Sequence, residues 1–247
     1  MTLPAGELKA CCAAAYSSAA ARFLLGDSFH PGGAALTSRL ARALEVGPGD
    51  LVLDVACGPG TSALQLARET GCQVVGVDLA PPPNPADDPR VRFLRGDAEA
   101  LPLAGASVDG ALCECALCTF PDQPAAAREL ARVLRPGARL ALSDLTARAH
   151  EFPDSLTSLE AWVACLAGAR PLDETAALLE QAGFGVEQTE AHDHALAALL
   201  DRVEARLQAA SMLGVDGVGR GRELLGAARA ALESGLLGYG VLIARRR

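Results

Sequence analysis

The stretch that most restricts the fold is Leu51-Val52-Leu53-Asp54-Val55-Ala56-Cys57-Gly58-Pro59-Gly60. Its short run of branched apolar residues suits a strand buried on both faces. The run stops at a glycine turn, and residues 61–70 then read as a helix with no breaker. Gln73–Val77 reads as a second strand ending at Asp78. Strand, tight turn, helix and strand in so short a span predict a parallel βαβ unit. Gly58 and Gly60 let the backbone approach a ligand, and the start of the following helix offers unpaired N–H groups. A dinucleotide site would carry a third glycine where this chain has Ala63. An acid placed before the glycines, at Asp54, suits a ligand with a cationic amino-acid end better than a pyrophosphate.

The alternation continues along the chain. Strands are expected at Val91–Arg95, Val108–Leu112, Arg139–Ser143, Val186–Thr189 and Leu236–Ala244. Helices are expected at 125–134, ending at Arg135-Pro136-Gly137, and at 173–183, 194–213 and 221–234. Before the first strand, residues 5–24 read as one alanine-rich helix, 26–33 as a loop and 34–45 as a second helix. The expected architecture is a doubly wound α/β domain over residues 34–247, with a helical cap or lid over residues 1–33. Half of the 247 residues are hydrophobic but only 4% are aromatic, so Ala, Leu and Val must fill the core.

Net charge of −8 argues against a nucleic-acid partner, which would need a basic face. No run of 18 apolar residues predicts a membrane span. Glu7 and Lys9 interrupt any leader-like start. A cytoplasmic location is the expectation, and with it reduced thiols at the eight cysteines.

Asp78 stands where a carboxylate accepts ribose hydroxyls. Asp97, in Gly96-Asp97-Ala98-Glu99-Ala100-Leu101-Pro102, follows the third strand and can accept from an adenine amino group. Three acids at the carboxyl ends of three successive strands would share the edge where open α/β sheets bind ligands. On LVLDVACGPG, VVGVDLA, GDAEALP and LARVLRPGARLALSD, the chain resembles the class I S-adenosylmethionine-dependent methyltransferases. The resemblance implies a mostly parallel seven-stranded sheet with an antiparallel strand at its end, and S-adenosylmethionine as cofactor. It implies that Asp54 serves the methionine end, that Gly58 and Gly60 line the cofactor, and that Asp78 with Leu79 takes the ribose. Asp97 with Ala98 would take the adenine, and Cys113 would face either the cofactor or the sheet.

The acceptor has to be read from other residues. Cys113-Glu114-Cys115-Ala116-Leu117-Cys118 follows the fourth strand, and clustered thiols can bind a soft ion. The spacing is not a zinc pattern, and His192 and His194 are expected at the surface. The segment DGALCECALCTFPDQPAAARELARVLRPGARLALSDL is similar to the same region of arsenite methyltransferases. That resemblance implies arsenic-binding thiols at Cys115 and Cys165, with a further one at Cys11 or Cys12. It departs from that subfamily at Phe29-His30-Pro31-Gly32-Gly33, where a cysteine is often found, and in the carboxy-terminal region.

Methyl transfer to thiolate-bound trivalent arsenic or another soft element is therefore one expectation, with Cys115 and Cys165 facing one pocket and Cys72 and Cys118 mattering less. A small organic acceptor, with incidental cysteines, is the alternative. An oxygen or nitrogen acceptor would need a base, for which His30, Asp27 and Glu114 are the candidates. A metalloid sensor on the same fold is a third reading, opposed by the intact acidic and glycine positions.

Overall fold

The computed structural model describes residues 4–85, 88–148, 166, 168–215 and 217–247. Its sheet is built from β1 (Leu51–Val55), β2 (Gln73–Asp78), β3 (Val91–Arg95), β4 (Val108–Glu114), β5 (Leu134–Ala147), β6 (Phe184–Ala191) and β7 (Leu237–Arg246). The strand order is β3-β2-β1-β4-β5-β7-β6. β1 pairs in parallel with both β2 and β4, so the winding reverses between β1 and β4. β7 is antiparallel to both neighbours and is inserted between β5 and β6.

Helices cover both faces, as buried parallel strands require. On one face α3 (Gly33–Leu44), α4 (Thr61–Thr70), α7 (Asp193–Met212) and α8 (Val218–Glu233) pack on Val52, Val74, Leu112 and Ala141. On the other, α5 (Gln123–Val133) and α6 (Leu172–Gln181) pack on Leu53, Val75, Ala111 and Leu140. The period of two along each strand decides which residue faces which layer. Asp54 and Glu114 both fall on the α3/α4 side, in step with Val52 and Leu112. Among the described residues, no helix is long and apolar enough to cross a membrane.

Three local expectations are corrected. Residues 5–24 form two helices, α1 (Ala5–Tyr16) and α2 (Ala19–Leu25). The Ser17 and Ser18 hydroxyls turn back onto the carbonyls of Ala13, Ala14 and Ala15, and Ser18 accepts from the Ala21 N–H as the cap of α2. β5 starts at Leu134, where Val108 of β4 pairs with it, resumes its ladder at Arg139 after a register shift, and reaches Ala147 because the long β7 pairs with it that far. His192 is half-buried rather than on the surface, since Arg39 Nη1 reaches its Nε2 at 2.6 Å.

The turn after β1 depends on Gly60. It sits at φ +80°, and a Cβ there would lie 2.3 Å from Phe93 Cζ on β3. Left-handed backbone strain and overpacking, at about 1–2 and 1–3 kcal/mol respectively, then act together. Gly60→Ala is expected to lower the urea midpoint measurably with an unchanged m value. A midpoint equal to that of the native protein would mean that Phe93 moves aside without cost.

Candidate active site

A cleft with about 1030 Å³ of empty space, its open mouth included, lies at the carboxyl ends of β1 to β4. This is the switch point, where the diverging connections leave a crevice in a doubly wound sheet. Asp54, Gly58, Asp78, Leu79, Asp97 and Ala98 all line it. Gly60 does not. It forms the turn that caps α4 against Phe93.

Asp54 is 2% exposed, and its Oδ2 has no hydrogen-bond partner among the described residues. Burial pushes its carboxyl well above the usual range, and the charges of Glu114 and Asp78 push it further. The Ala63 backbone N–H opposes them. A desolvated acid with an unused oxygen in a cleft is suited to a cation. The Cys57 thiol beside it is raised by burial and then by Asp54 and Asp78. Asp78 accepts from Gly58 N at 3.0 Å and from Ala80 N at 2.8 Å, which fixes its carboxylate at the end of β2.

The N-terminal helix closes one side of the cleft. Lys9, Cys12, Ala13 and Tyr16 of α1 form part of the wall. Lys9 Nζ lies 2.7 Å from Asp97 Oδ2 and also pairs with Glu99. Burial pulls the ammonium down, but the two carboxylates more than offset this and hold it above the ordinary lysine value. Arg206 on α7 donates to the Leu24 carbonyl at 2.9 Å, which ties α2 to the body of the protein.

Beside Asp54 lies a polar group of side chains from separate elements. Glu114 Oε2 accepts from Ser62 Oγ at 2.6 Å, and Thr37 Oγ1 lies 3.1 and 3.2 Å from its two oxygens. His30 Nε2 is 3.4 Å from Glu114 Oε2 and 2.9 Å from Ser28 Oγ. His30 Nδ1 is 3.1 Å from the Pro31 carbonyl. His30 and Glu114 were both legible as candidate bases, but their contact was not. Thr37 and Ser62 went unrecognised. Thr37 did leave a signal: it interrupts the buried stripe of Leu36, Leu40, Ala41 and Leu44 on α3 with a polar side chain.

The cysteines divide. Cys12 and Cys115 line the cleft, whereas Cys11 is half-buried and outside its wall. Cys115 takes a left-handed backbone at φ +52° as the chain leaves β4, and its N–H donates to the Ser143 carbonyl at 2.7 Å. Of the two places expected for Cys113, strand alternation gives it the sheet: it turns away from Glu114 into the opposite layer, where it is fully buried. Cys118 is buried and its N–H donates to Asp144, and Cys72 is buried after α4. Cys165 lies outside the described residues, so its expected approach to Cys115 does too. Among the described residues, no group of three or more His, Cys, Asp and Glu side chains is arranged to hold a metal ion.

The methyltransferase-domain family matches residues 53–142. The chain is 32% identical to an O-methyltransferase of Penicillium expansum over 226 residues, which is 85% of this chain and 77% of that protein. It is 35% identical to an arsenite methyltransferase of Halobacterium salinarum over 148 residues, 56% of this chain and 38% of that one. The chain spans only 38–61% of the length of several curated methyltransferases that it matches. A solved geranyl diphosphate methyltransferase superposes with a TM-score of 0.77 at 18% identity, covering 97% of this chain and all of that one, a likeness of fold.

Asp54 gives the ligand-free protein a signed pH dependence. Because its native value is raised, the fold is unpenalised while both states are protonated, below about 3.9, the ordinary Asp value. The penalty then grows as pH rises toward and through the native value. Asp54→Asn should therefore match the native Tm at acid pH and exceed it by a widening margin as pH rises. Parallel melting curves across pH would contradict the raised carboxyl.

Proposed function

The chain belongs to the class I S-adenosylmethionine-dependent methyltransferases, and we propose that it transfers a methyl group to the oxygen of a small, uncharged organic acceptor. The observation that carries this reading is the His30–Glu114 contact in the wall of the cleft. A hydroxyl acceptor must lose its proton as it is methylated, and a buried imidazole beside a carboxylate can take it. His30 accepts the proton and Glu114 balances the resulting charge. Ser62 and Thr37 hold Glu114 in place.

The residues present suit the cofactor. S-adenosylmethionine supplies an electrophilic methyl on a sulfonium, with a cationic amino-acid end. Asp54, with its unused buried oxygen, would answer that positive end, together with the Gly58 turn. Asp78, followed by Leu79, would take the ribose, and Asp97 with Ala98 the adenine. Residues 1–33 would act as a cap, with α1 covering the cleft and Lys9 pinning it to Asp97 and Glu99.

Charge narrows the acceptor. Asp27, Asp54, Asp78, Asp97 and Glu114 line the cleft against Lys9, which two carboxylates already engage. An anionic acceptor would be repelled at close range. Tyr16 and Phe29, with ring centroids 6.2 Å apart, and Phe120 provide apolar surface for a ring or chain.

A second reading keeps the soft-element acceptor, because Cys12 and Cys115 share this wall. In it they hold trivalent arsenic or a similar centre, with Cys165 as a further thiolate, and no base is required. The relatives support both, since they include O-methyltransferases and an arsenite enzyme.

Protein incubated with methyl-labelled S-adenosylmethionine and, separately, 2-naphthol, catechol, benzoate and arsenite should label a phenol and spare benzoate. His30→Ala should lower that turnover by about 10²–10⁴-fold while cofactor affinity stays within about two-fold. Asp78→Ala should weaken the cofactor in a titration, at roughly 1.5–3 kcal/mol for each hydrogen bond lost. Label appearing in arsenite alone, and abolished by Cys115→Ser, would replace the oxygen reading with the second one.

A further inference from the structure

Resting on the oxygen-acceptor reading, we infer that the Ser28 hydroxyl is the group that meets the acceptor and relays its proton to His30. The hydrogen bonds around the imidazole lead to this. The Pro31 carbonyl can only accept, and it lies 3.1 Å from His30 Nδ1. The ring's Nδ1 therefore carries a hydrogen, and in the neutral ring the lone pair is on Nε2. Nε2 is not open to the cleft alone. Ser28 Oγ lies 2.9 Å from it, Thr37 Oγ1 3.3 Å and Glu114 Oε2 3.4 Å. The hydroxyl of Thr37 also lies within reach of both Glu114 oxygens, on the buried side of the group. Ser28 is half-buried and forms part of the cleft wall. Of the hydroxyls at Nε2, it is therefore the one with a side toward the acceptor.

The transfer balances in protons and charge. The acceptor O–H donates to Ser28 Oγ while the Ser28 O–H proton moves to His30 Nε2. Serine ends as it began, the acceptor oxygen keeps the electron pair of its O–H bond, and the imidazolium faces Glu114 Oε2. The carboxylate is already held by Ser62 Oγ at 2.6 Å, so it can stabilise the new cation without moving. Ser28 stands in the loop between α2 and α3, two residues before His30. One short segment thus carries both halves of the relay.

Two measurements test this. In protein labelled with ¹⁵N-histidine and saturated with S-adenosylhomocysteine, His30 should show the Nδ1–H tautomer, and Ser28→Ala should shift its Nε2 resonance. This arm needs no acceptor. With 2-naphthol as acceptor, Ser28→Ala should lower kcat at least ten-fold with little change in KM or cofactor affinity. Ser28→Thr, which keeps a hydroxyl, should recover most of the rate. The rate in H₂O–D₂O mixtures should curve for the native protein, as two protons move together, and become linear in Ser28→Ala. An Nε2–H tautomer, or a Ser28→Ala enzyme with native kcat and native isotope curvature, would overturn the relay while leaving His30 as a direct base. Failure of every phenol to take label, with the Nδ1–H tautomer intact, would instead remove the oxygen-acceptor reading, and the relay with it.

Discussion

A carboxylate buried near the carboxyl end of β1 is the constraint on which the site depends. Asp54 lies in step with Val52, so the pleat that builds the hydrophobic layer also carries the acid into it. Its unused Oδ2 and the nearby charges of Glu114 and Asp78 make the ligand-free cleft electrostatically unfavourable. Buried charge is tolerated when something pairs with it. On the proposed function, the positive end of the cofactor is that partner, and the same concentration of acids works against an anionic acceptor. Stability of the empty protein and selectivity of the site follow from a single placement.

The N-terminal helices show the same economy of charge. Lys9 in the cleft wall bridges Asp97 and Glu99, on the loop after β3. A partly buried ammonium between two carboxylates joins the first helix to the loop after the third strand. Arg206 secures α2 at the other end through the Leu24 carbonyl. Just after the second anchor, the segment carrying Ser28 and His30 is held against α3 and the end of β4. The polar group at Glu114 thus draws on the α2–α3 loop, α3, α4 and β4, and none of these elements supplies it alone.

The βαβ core was legible because each of its signals is local. Apolar runs, a glycine turn and an acid at the strand end are adjacent in the chain, and β1, α4 and β2 appear where those signals stand. Boundaries that depend on partners were not legible. β5 starts as early as Leu134 because Val108 of β4 pairs there, although the local residues read as a stop. The break between α1 and α2 was written in Ser17-Ser18, but alanine on both sides masked it. Cys113 and Glu114 are neighbours in sequence, yet the pleat sends one into the core and the other into the cleft.

By itself, the sequence determined the doubly wound class, the glycine turn, and the acids at Asp54, Asp78 and Asp97 that end successive strands. Each of these follows from residue type and short-range spacing. Tertiary structure decided which side chains meet. It brought Ser28, His30, Thr37, Ser62 and Glu114 together, with contacts as far apart in the chain as His30 and Glu114. It chose Cys12 over Cys11 for the wall and turned Gly60 toward Phe93. Helix phase and strand pleat set the direction of each side chain, but only the packing of one element on another determines what that direction points at.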